Sequence, residues 1–247
     1  MRPTLLLLHG FTGSAQAWAG LLPELERRFE VVAVDLPGHG ANREGASVSE
    51  TAEALARRLA TAPAHVLGYS LGARIALQLA LAHPEALRRL VLESPSAGIA
   101  DPAERAARRA ADERLADDIE RDGIEAFVER WERNPIFATH AALDPAAAGR
   151  QRAIRLAQSP RGLAESLRLA GQGAMPPLHD RLAAVRAPSL VIAGALDPAR
   201  PRAELVAAGI PGARLAVVDG AGHTPHLERP DAFLPLVIDF LQEDAAA

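Results

Sequence analysis

The motif that most constrains this chain is GYSLG at residues 68–72, which follows an apolar segment at 65–67 and opens a helical pattern at 71–82. The spacing G-x-S-x-G is typical of a strand, a sharp turn and a helix in that order, since side chains in place of the glycines would collide. Such a turn lifts the Ser70 hydroxyl clear of the sheet and directs the next helix towards it. The motif predicts a reactive serine at a nucleophile elbow; a tight glycine turn before an ordinary helix is the alternative.

Apolar segments and helical patterns alternate around this motif. We predict strands at residues 4–8, 31–34, 65–67 and 90–92, and helices at 14–28, 47–60 and 71–82. Ser49 is the predicted cap of the second of these helices. Because the strands are apolar throughout, the alternation indicates a parallel sheet covered by helices on both faces.

The pattern changes after residue 98. From Asp101 to about residue 182 we find helical patterns and no convincing strand; helices are predicted from Asp101 onwards and at 123–133, 145–156 and 162–170. Strands at 189–193 and 215–218 then resume, with helices at 202–208 and 231–242. The sequence therefore predicts a core domain of residues 1–98 and 183–247, with a helical cap of residues 99–182 inserted between the fourth and fifth strands.

A serine needs an imidazole to take its proton and a carboxylate to orient that imidazole. His223 follows the last predicted strand in the segment DGAGH and is the predicted base, with His226 and His9 as alternatives. Loops at the carboxyl ends of parallel strands meet at one edge of the sheet, where such sites form.

The acid of the triad should likewise follow a strand. Asp197 lies just past the strand at 189–193 and is the predicted acid; Glu93 and Asp219 are the alternatives. Aspartate before proline is also a common turn residue, so a structural role for Asp197 remains open.

Donors for an oxyanion come from the backbone in this arrangement. We predict the N–H groups of Leu71, directly after the serine, and of Phe11, in the loop after the first strand. Arg74 follows Ser70 by one helical turn, so its guanidinium shares the face of the serine. It would either recognise a substrate carboxylate or pair with a carboxylate at the domain edge.

Four segments resemble the α/β-hydrolase superfamily over essentially the whole chain: LHGFTG at 8–13, DLPGHG at 35–40, GYSLG at 68–72 and GAGH at 220–223. The resemblance implies an α/β-hydrolase fold, a mostly parallel sheet with helices on both faces and an inserted helical cap. It begins at the strand before the oxyanion loop, so we expect the usual first two strands of the superfamily to be absent.

A narrower resemblance is carried by GYSLGAR at 68–74, LESP at 92–95, RRAADERL at 108–115, WERNPIF at 131–137, GQGAMPPL at 171–178 and GHTPH at 222–226. These segments resemble the family of menaquinone-pathway lyases that make 2-succinyl-6-hydroxy-2,4-cyclohexadiene-1-carboxylate. The resemblance implies elimination of pyruvate from 2-succinyl-5-enolpyruvyl-6-hydroxy-3-cyclohexene-1-carboxylate, a substrate with several negative charges, rather than hydrolysis of an ester.

By the same resemblance, Ser70 would abstract a substrate proton with the help of His223 and Asp197, while the two backbone N–H groups hold the enolate oxygen. Contacts with the substrate are implied for residues of the elbow and the cap: Tyr69, Arg74, Arg108, Trp131 and Arg155. A register slip in the cap helices would replace the two cap arginines by their neighbours Arg105, Arg109 or Arg152. A solvated arginine-rich face and a packing role for the tryptophan are the alternatives.

Composition excludes several other classes of protein. The net charge of -4 provides no basic field for nucleic acid, and the absence of cysteine excludes a thiol nucleophile, disulfides and thiolate metal sites. The histidines lack metal-ligand spacing, and we expect no metal and no cofactor. No apolar stretch approaches membrane-spanning length and the N-terminus has no signal region, so we expect a cytoplasmic protein without membrane insertion.

The function that the resemblance implies is a lyase acting on a small anionic substrate, and we expect a monomer or weak homo-oligomer. A carboxylesterase or other serine hydrolase working through an acyl-enzyme is the alternative. A catalytically idle binding protein is disfavoured by the intact serine, histidine and acid positions. Arginines that face the cavity would discriminate the lyase from an esterase, because a neutral ester has no use for several guanidinium groups.

Overall fold

A parallel sheet of six strands organises the part of the chain that the computed structural model describes, residues 2–60 and 62–243. The strands are β1 Thr4–Leu8, β2 Glu30–Val34, β3 Ala64–Tyr69, β4 Leu87–Glu93, β5 Ser189–Gly194 and β6 Arg214–Val218. Their order across the sheet is β2-β1-β3-β4-β5-β6, and every neighbouring pair is parallel. The outer ends of the predicted core domain, residues 1 and 244–247, lie outside the described residues.

Helices cover the sheet and form a separate group between β4 and β5. They are α1 Leu22–Leu25, α2 Val48–Leu59, α3 Leu71–Ala82, α4 Pro102–Trp131, α5 Pro145–Leu156, α6 Pro160–Ala170, α7 Arg200–Gly209, α8 Pro225–Glu228 and α9 Pro230–Gln242. The helices α4, α5 and α6 occupy the interval in which the sequence predicts the inserted cap. No helix within the described ranges is both long and apolar enough to cross a bilayer.

The apolar side chains of a strand alternate between two core clusters because successive residues point to opposite faces of the sheet. In β1, Leu6 and Leu8 pack on the side of α2 and α3, whereas Leu5 and Leu7 pack with Trp18 on the other side. A third cluster joins α4 to α6 within the cap. The central strands β1, β3, β4 and β5 are thus largely buried on both faces, as their apolar residues predict, whereas Leu215 and Val217 of the edge strand β6 are exposed.

The predicted helix at residues 14–28 is wrong. The expected helix at 14–28 is a short 3-10 helix, Ala15–Trp18, followed by the single turn of α1. Pro23 accounts for the break, since in a continuous helix it could not donate a hydrogen bond to the carbonyl one turn earlier and its ring would clash with that carbonyl.

The cap of α2 is Ser47 and not Ser49. The Ser47 hydroxyl accepts a hydrogen bond from the Glu50 N–H at 3.1 Å, and the Glu50 carboxylate accepts one from the Ser47 N–H at 2.8 Å. This reciprocal pair satisfies two N–H groups at the helix start, which a serine within the first turn cannot do.

The two helices expected at the start of the cap form the single element α4, with an irregular residue inside it. Gly123 has φ 82° and ψ 176°, so the regular helix is interrupted there. Only glycine adopts such a conformation without strain, and the break divides α4 at the position where the sequence predicts a second helix to begin.

Candidate active site

Ser70 stands at the junction of β3 and α3 with φ 51° and ψ -104°. A Cβ on Gly72 would overlap the carbonyl oxygen of Leu8, and one on Gly68 would overlap the backbone of Gly72. The strand and the helix therefore approach each other so closely that glycine is required at both positions. The Ser70 N–H donates to the carbonyl of Glu93 at 2.9 Å, which ties the strained turn to β4.

His223 and Asp197 meet Ser70 at the carboxyl edge of the sheet. His223 Nε2 lies 3.3 Å from Ser70 Oγ, and its Nδ1 lies 2.8 Å from Asp197 Oδ2. The other carboxylate oxygen of Asp197 accepts a hydrogen bond from the Ala199 N–H at 2.8 Å. Burial alone would raise the pKa of Asp197, but the hydrogen bond and charge of His223 outweigh it and lower that pKa. An ionised Asp197 orients the imidazole so that Nε2 faces the serine.

The alternative histidines have other partners. His226 Nδ1 lies 2.8 Å from Glu93 Oε1, and this buried pair packs beneath the ring of Tyr69. His9 Nε2 accepts the N–H of Leu36 at 3.0 Å, and burial lowers the pKa of His9 to about 4. Both histidines hold neighbouring segments in place, and neither bonds to Ser70.

Phe11 and Leu71, whose N–H groups are the predicted oxyanion donors, line the same cavity as Ser70. No hydrogen bond among residues 2–60 and 62–243 uses the N–H of Phe11 or of Leu71. The Gly72 N–H donates to the His9 carbonyl at 3.0 Å, and this bond fixes the loop after β1 against the start of α3. Two free N–H groups held beside Ser70 can receive a developing negative charge without reorganisation.

A cavity of about 410 Å³ lies between the core and the cap, above Ser70 and His223. Tyr69 and Trp131 line it, and Trp131 packs edge-on against Phe11 at 5.4 Å between ring centres. The charged side chains in the described part of its wall are three arginines and one carboxylate: Arg74, Arg108, Arg202 and Asp112. The wall therefore carries a net positive charge.

Arg74 is the most buried of these cations, with 7% of its surface exposed. Its Nη1 donates to the Ala170 carbonyl at 2.7 Å, so the cap backbone holds the guanidinium. Burial and the nearby charge of Arg108 lower the pKa of Arg74 to about 10, with Asp112 acting in the opposite direction. Arg74 thus remains a cation at neutral pH.

Arg108 is oriented by Asp112. Its Nε donates to Asp112 Oδ1 at 2.7 Å, and Asp112 Oδ2 also accepts the Gly173 N–H at 3.2 Å. The carboxylate is buried, whereas the Arg108 side chain is 40% exposed. A guanidinium held at one nitrogen keeps its remaining donors for a second acceptor.

Arg155 does not line this cavity. Its Nη1 donates to Glu132 at 3.0 Å, and its guanidinium carbon lies 5.0 Å from the centre of the Phe137 ring, which does line the cavity. Arg152 shares the Glu132 carboxylate, and Arg105 donates to the Ile99 carbonyl. The structure therefore separates the two predicted cap arginines: Arg108 lines the same cavity as Ser70, and Arg155 packs behind Phe137 of its wall.

Sequence reasoning missed Arg202, Gln172 and Asn134 as residues of the cavity wall. Arg202 lies in the first turn of α7, directly after the loop that carries Asp197. A helix that starts at the carboxyl edge of the sheet presents its first turn to the site. That position was the available signal for Arg202. Gln172 and Asn134 lie in the segments 171–178 and 131–137 that carry the narrower resemblance, and this was the available signal for them.

Comparison with known proteins places this geometry in a family. The profile of the Alpha/beta hydrolase family matches residues 5–236. A Bacillus subtilis (strain 168) protein, provisionally named a 2-succinyl-6-hydroxy-2,4-cyclohexadiene-1-carboxylate synthase, is 37% identical over 243 residues, covering 95% of this chain and 88% of the relative. The solved structure of MenH from S. aureus aligns with a TM-score of 0.94 at 32% identity, over 98% of this chain and 94% of that one.

Relatives with a different name are also similar. A pimeloyl-[acyl-carrier protein] methyl ester esterase of Aeromonas hydrophila is 32% identical over 251 residues, covering 97% of this chain and 95% of the relative. Lyase and esterase names thus both occur among proteins similar to this chain over nearly its full length.

Proposed function

The chain belongs to the alpha/beta hydrolase family, and we propose that it is the lyase that eliminates pyruvate from 2-succinyl-5-enolpyruvyl-6-hydroxy-3-cyclohexene-1-carboxylate. The product is 2-succinyl-6-hydroxy-2,4-cyclohexadiene-1-carboxylate. The observation that carries the proposal is the net positive cavity wall, with the buried Arg74 one helical turn from Ser70. A substrate with several carboxylates matches this wall, and guanidinium groups bind carboxylates through paired hydrogen bonds.

We propose that Ser70 Oγ takes a proton from the ring system of the substrate while its own proton passes to His223 Nε2. The developing oxyanion would accept hydrogen bonds from the N–H groups of Phe11 and Leu71. The electron pair then expels the enolpyruvyl oxygen as the C–O bond breaks. The proton held by the Ser70–His223 pair goes to the leaving group, which becomes pyruvate, and the enzyme returns to its starting state.

The arginines would bind the charged groups of the substrate. Arg74 and Arg108 line the cavity beside the serine, and Arg202 adds a cation from the core. We propose that Tyr69 and Trp131 shape the apolar part of the wall, and that Arg155 acts through Phe137 rather than by direct contact. The free-energy cost of removing these charges from water is offset when each guanidinium group pairs with an anion. The cavity therefore favours an anionic ligand over a neutral one.

Hydrolysis of an ester is the second candidate, favoured by the similarity to the Aeromonas hydrophila esterase. The same serine, histidine and acid could form an acyl-enzyme, with Ser70 as nucleophile. Three guanidinium groups around a neutral ester would gain no partner. Charge on the substrate therefore discriminates the two functions.

The test measures pyruvate release from the enolpyruvyl substrate by the wild-type protein and by Ser70→Ala, with a p-nitrophenyl ester assayed alongside. The spontaneous decay of the substrate is subtracted in a protein-free control. We expect fast release that is lost in Ser70→Ala, with feeble turnover of the ester. Ester cleavage without accelerated pyruvate release would contradict the lyase and make the protein a hydrolase.

A further inference from the structure

The loop that carries His223 is held by side chains as well as by backbone hydrogen bonds. It connects β6 to α8, and Ser94 Oγ donates to the carbonyl of His223 at 2.9 Å. The imidazole reaches Ser70 only if this loop stays in place, since a small displacement would lengthen the 3.3 Å approach of Nε2 to the hydroxyl. Groups that hold the loop therefore bear on the reaction.

Glu228 binds the backbone on both sides of the base. Its Oε2 accepts the N–H of Gly222 at 2.7 Å, and its Oε1 accepts the N–H of Thr224 at 3.0 Å. The Thr224 hydroxyl donates to the same Oε1 at 2.7 Å. Three donors from the residues that flank His223 thus converge on a single carboxylate.

The carboxylate is buried, with 4% of the side chain exposed. Burial alone would raise the pKa of Glu228, but the hydrogen bonds from Gly222 and Thr224 outweigh it and lower that pKa. Glu228 is therefore ionised at neutral pH, and its charge strengthens the bonds to the loop.

The same hydrogen bonds extend to the cap. His140 belongs to the 3-10 segment Pro135–Ala142, which also supplies Phe137 to the cavity wall. His140 Nε2 lies 2.7 Å from the Thr224 hydroxyl oxygen. Because that hydroxyl gives its proton to Glu228, it accepts from His140; burial and the charge of Arg155 lower the pKa of His140 to about 4, so the ring is neutral.

We propose that Glu228 is a positioning residue for His223, which fixes the loop on both sides of the base and links it to the cap through Thr224 and His140. The proposal rests on the proposed role of His223 as the base in the Ser70 reaction. Glu228 does not itself line the cavity, so it acts on the substrate indirectly, chiefly through the orientation of the imidazole.

The first test is Glu228→Gln, with Asp231→Asn as the matched control. The amide of the variant has one acceptor oxygen, so one side of the loop faces an NH₂ donor and loses its partner. We expect kcat for pyruvate release to fall about 10- to 100-fold while KM changes by less than about threefold, because the substrate contacts remain. Asp231 pairs with Arg229 at the surface, and its variant should retain wild-type kcat.

A spectroscopic measurement separates positioning from mere folding. The proton shared by His223 Nδ1 and Asp197 should give a low-field NMR resonance, which we expect to shift or broaden in Glu228→Gln and to persist in Asp231→Asn. An unchanged resonance together with an unchanged kcat would overturn the proposal, and so would a lower melting temperature with neither effect. If the wild-type protein releases no pyruvate, the proposed function fails, and the resonance alone decides the role of Glu228.

Thr224 provides a second pair of variants in case Glu228→Gln does not fold. Thr224→Ala removes the hydroxyl that joins Glu228 to His140, and Thr224→Ser keeps it. We expect the alanine variant to lower kcat and shift the same resonance, and the serine variant to restore both. Equal behaviour of the two variants would overturn the link from the base to the cap.

Discussion

Arg74 and Ser70 are one helical turn apart, joined by the hydrogen bond from the Arg74 N–H to the Ser70 carbonyl at 3.1 Å, and both line the same cavity. The spacing places the guanidinium on the face of the serine because residues four apart on a helix are neighbours. The bond from Arg74 Nη1 to Ala170 of the cap then holds that orientation. A buried cation that lines the same cavity as Ser70 supports the proposal that the substrate is an anion.

Arg74→Ala should therefore lower kcat/KM for pyruvate release by about 100-fold or more, since a buried partner for a carboxylate is lost. Arg74→Lys keeps the charge without the planar guanidinium, so its kcat/KM should lie between those of the wild-type protein and Arg74→Ala. Steady-state kinetics and a melting curve measure the effect and check folding. Arg27→Ala, at an exposed arginine, is the control. Near-normal turnover by a folded Arg74→Ala protein would remove Arg74 from the site.

Arg202 and Arg200 offer a matched comparison on α7. Arg202 lines the cavity, whereas Arg200 pairs with Glu204 and does not line it. We expect Arg202→Ala to raise KM about tenfold with a smaller change in kcat, because an exposed cation contributes mainly to binding. Arg200→Ala should retain the wild-type KM. Identical kinetics for the two variants would show that Arg202 does not contact the substrate.

His39 should make stability depend on pH. Burial and the neighbouring His9 lower the pKa of His39 to about 3, from 6.5. Between these values the unfolded chain holds one more proton than the folded one, so the free energy of unfolding falls as pH decreases, by about 1.4 kcal/mol per pH unit for this group. Urea unfolding of His39→Asn gives its free energy of unfolding at several pH values between 5 and 6. We expect this free energy to change with pH less steeply than that of the wild-type protein, by about that amount.

His83 gives the control for this slope. It lies near the surface, and its hydrogen bond to Glu53 raises the pKa of His83 instead. Its contribution to the free energy of unfolding therefore has the opposite pH dependence. It is present at low pH and is lost as pH rises through the raised pKa. His83→Asn should therefore not make the free energy of unfolding less dependent on pH. If His39→Asn shows the same pH dependence as the wild-type protein, His39 titrates normally when folded.

Ser47→Ala should lower the free energy of unfolding by about 1 kcal/mol, because the first turn of α2 loses its reciprocal hydrogen bonds. Ser49→Ala, two residues on, should change it by less than about 0.5 kcal/mol. Chemical unfolding of both variants gives the comparison. A larger cost at Ser49 would contradict the cap seen in the structure.

The parts of this protein that its sequence determines are those with short-range physical requirements. The elbow around Ser70 needs glycine at two fixed spacings, and the largely apolar central strands indicate a sheet with helices on both faces. The positions of Asp197 and His223 follow from the same rule, since parallel strands bring their carboxyl ends to one edge. The misplaced cap at Ser49 reflects a choice between two serines that only the helix register resolves.

The tertiary structure decided which polar groups meet across the interface between core and cap. Arg108 and Arg155 both lie on arginine-rich cap helices, yet Arg108 lines the cavity and Arg155 pairs with Glu132 outside it. His226 bonds to Glu93, and Glu228 holds the loop of His223, through contacts that no spacing in the sequence marks. The physical reason is that the facing side of a helix depends on the packing of segments far apart in the chain, whereas a turn or a cap depends on its immediate neighbours.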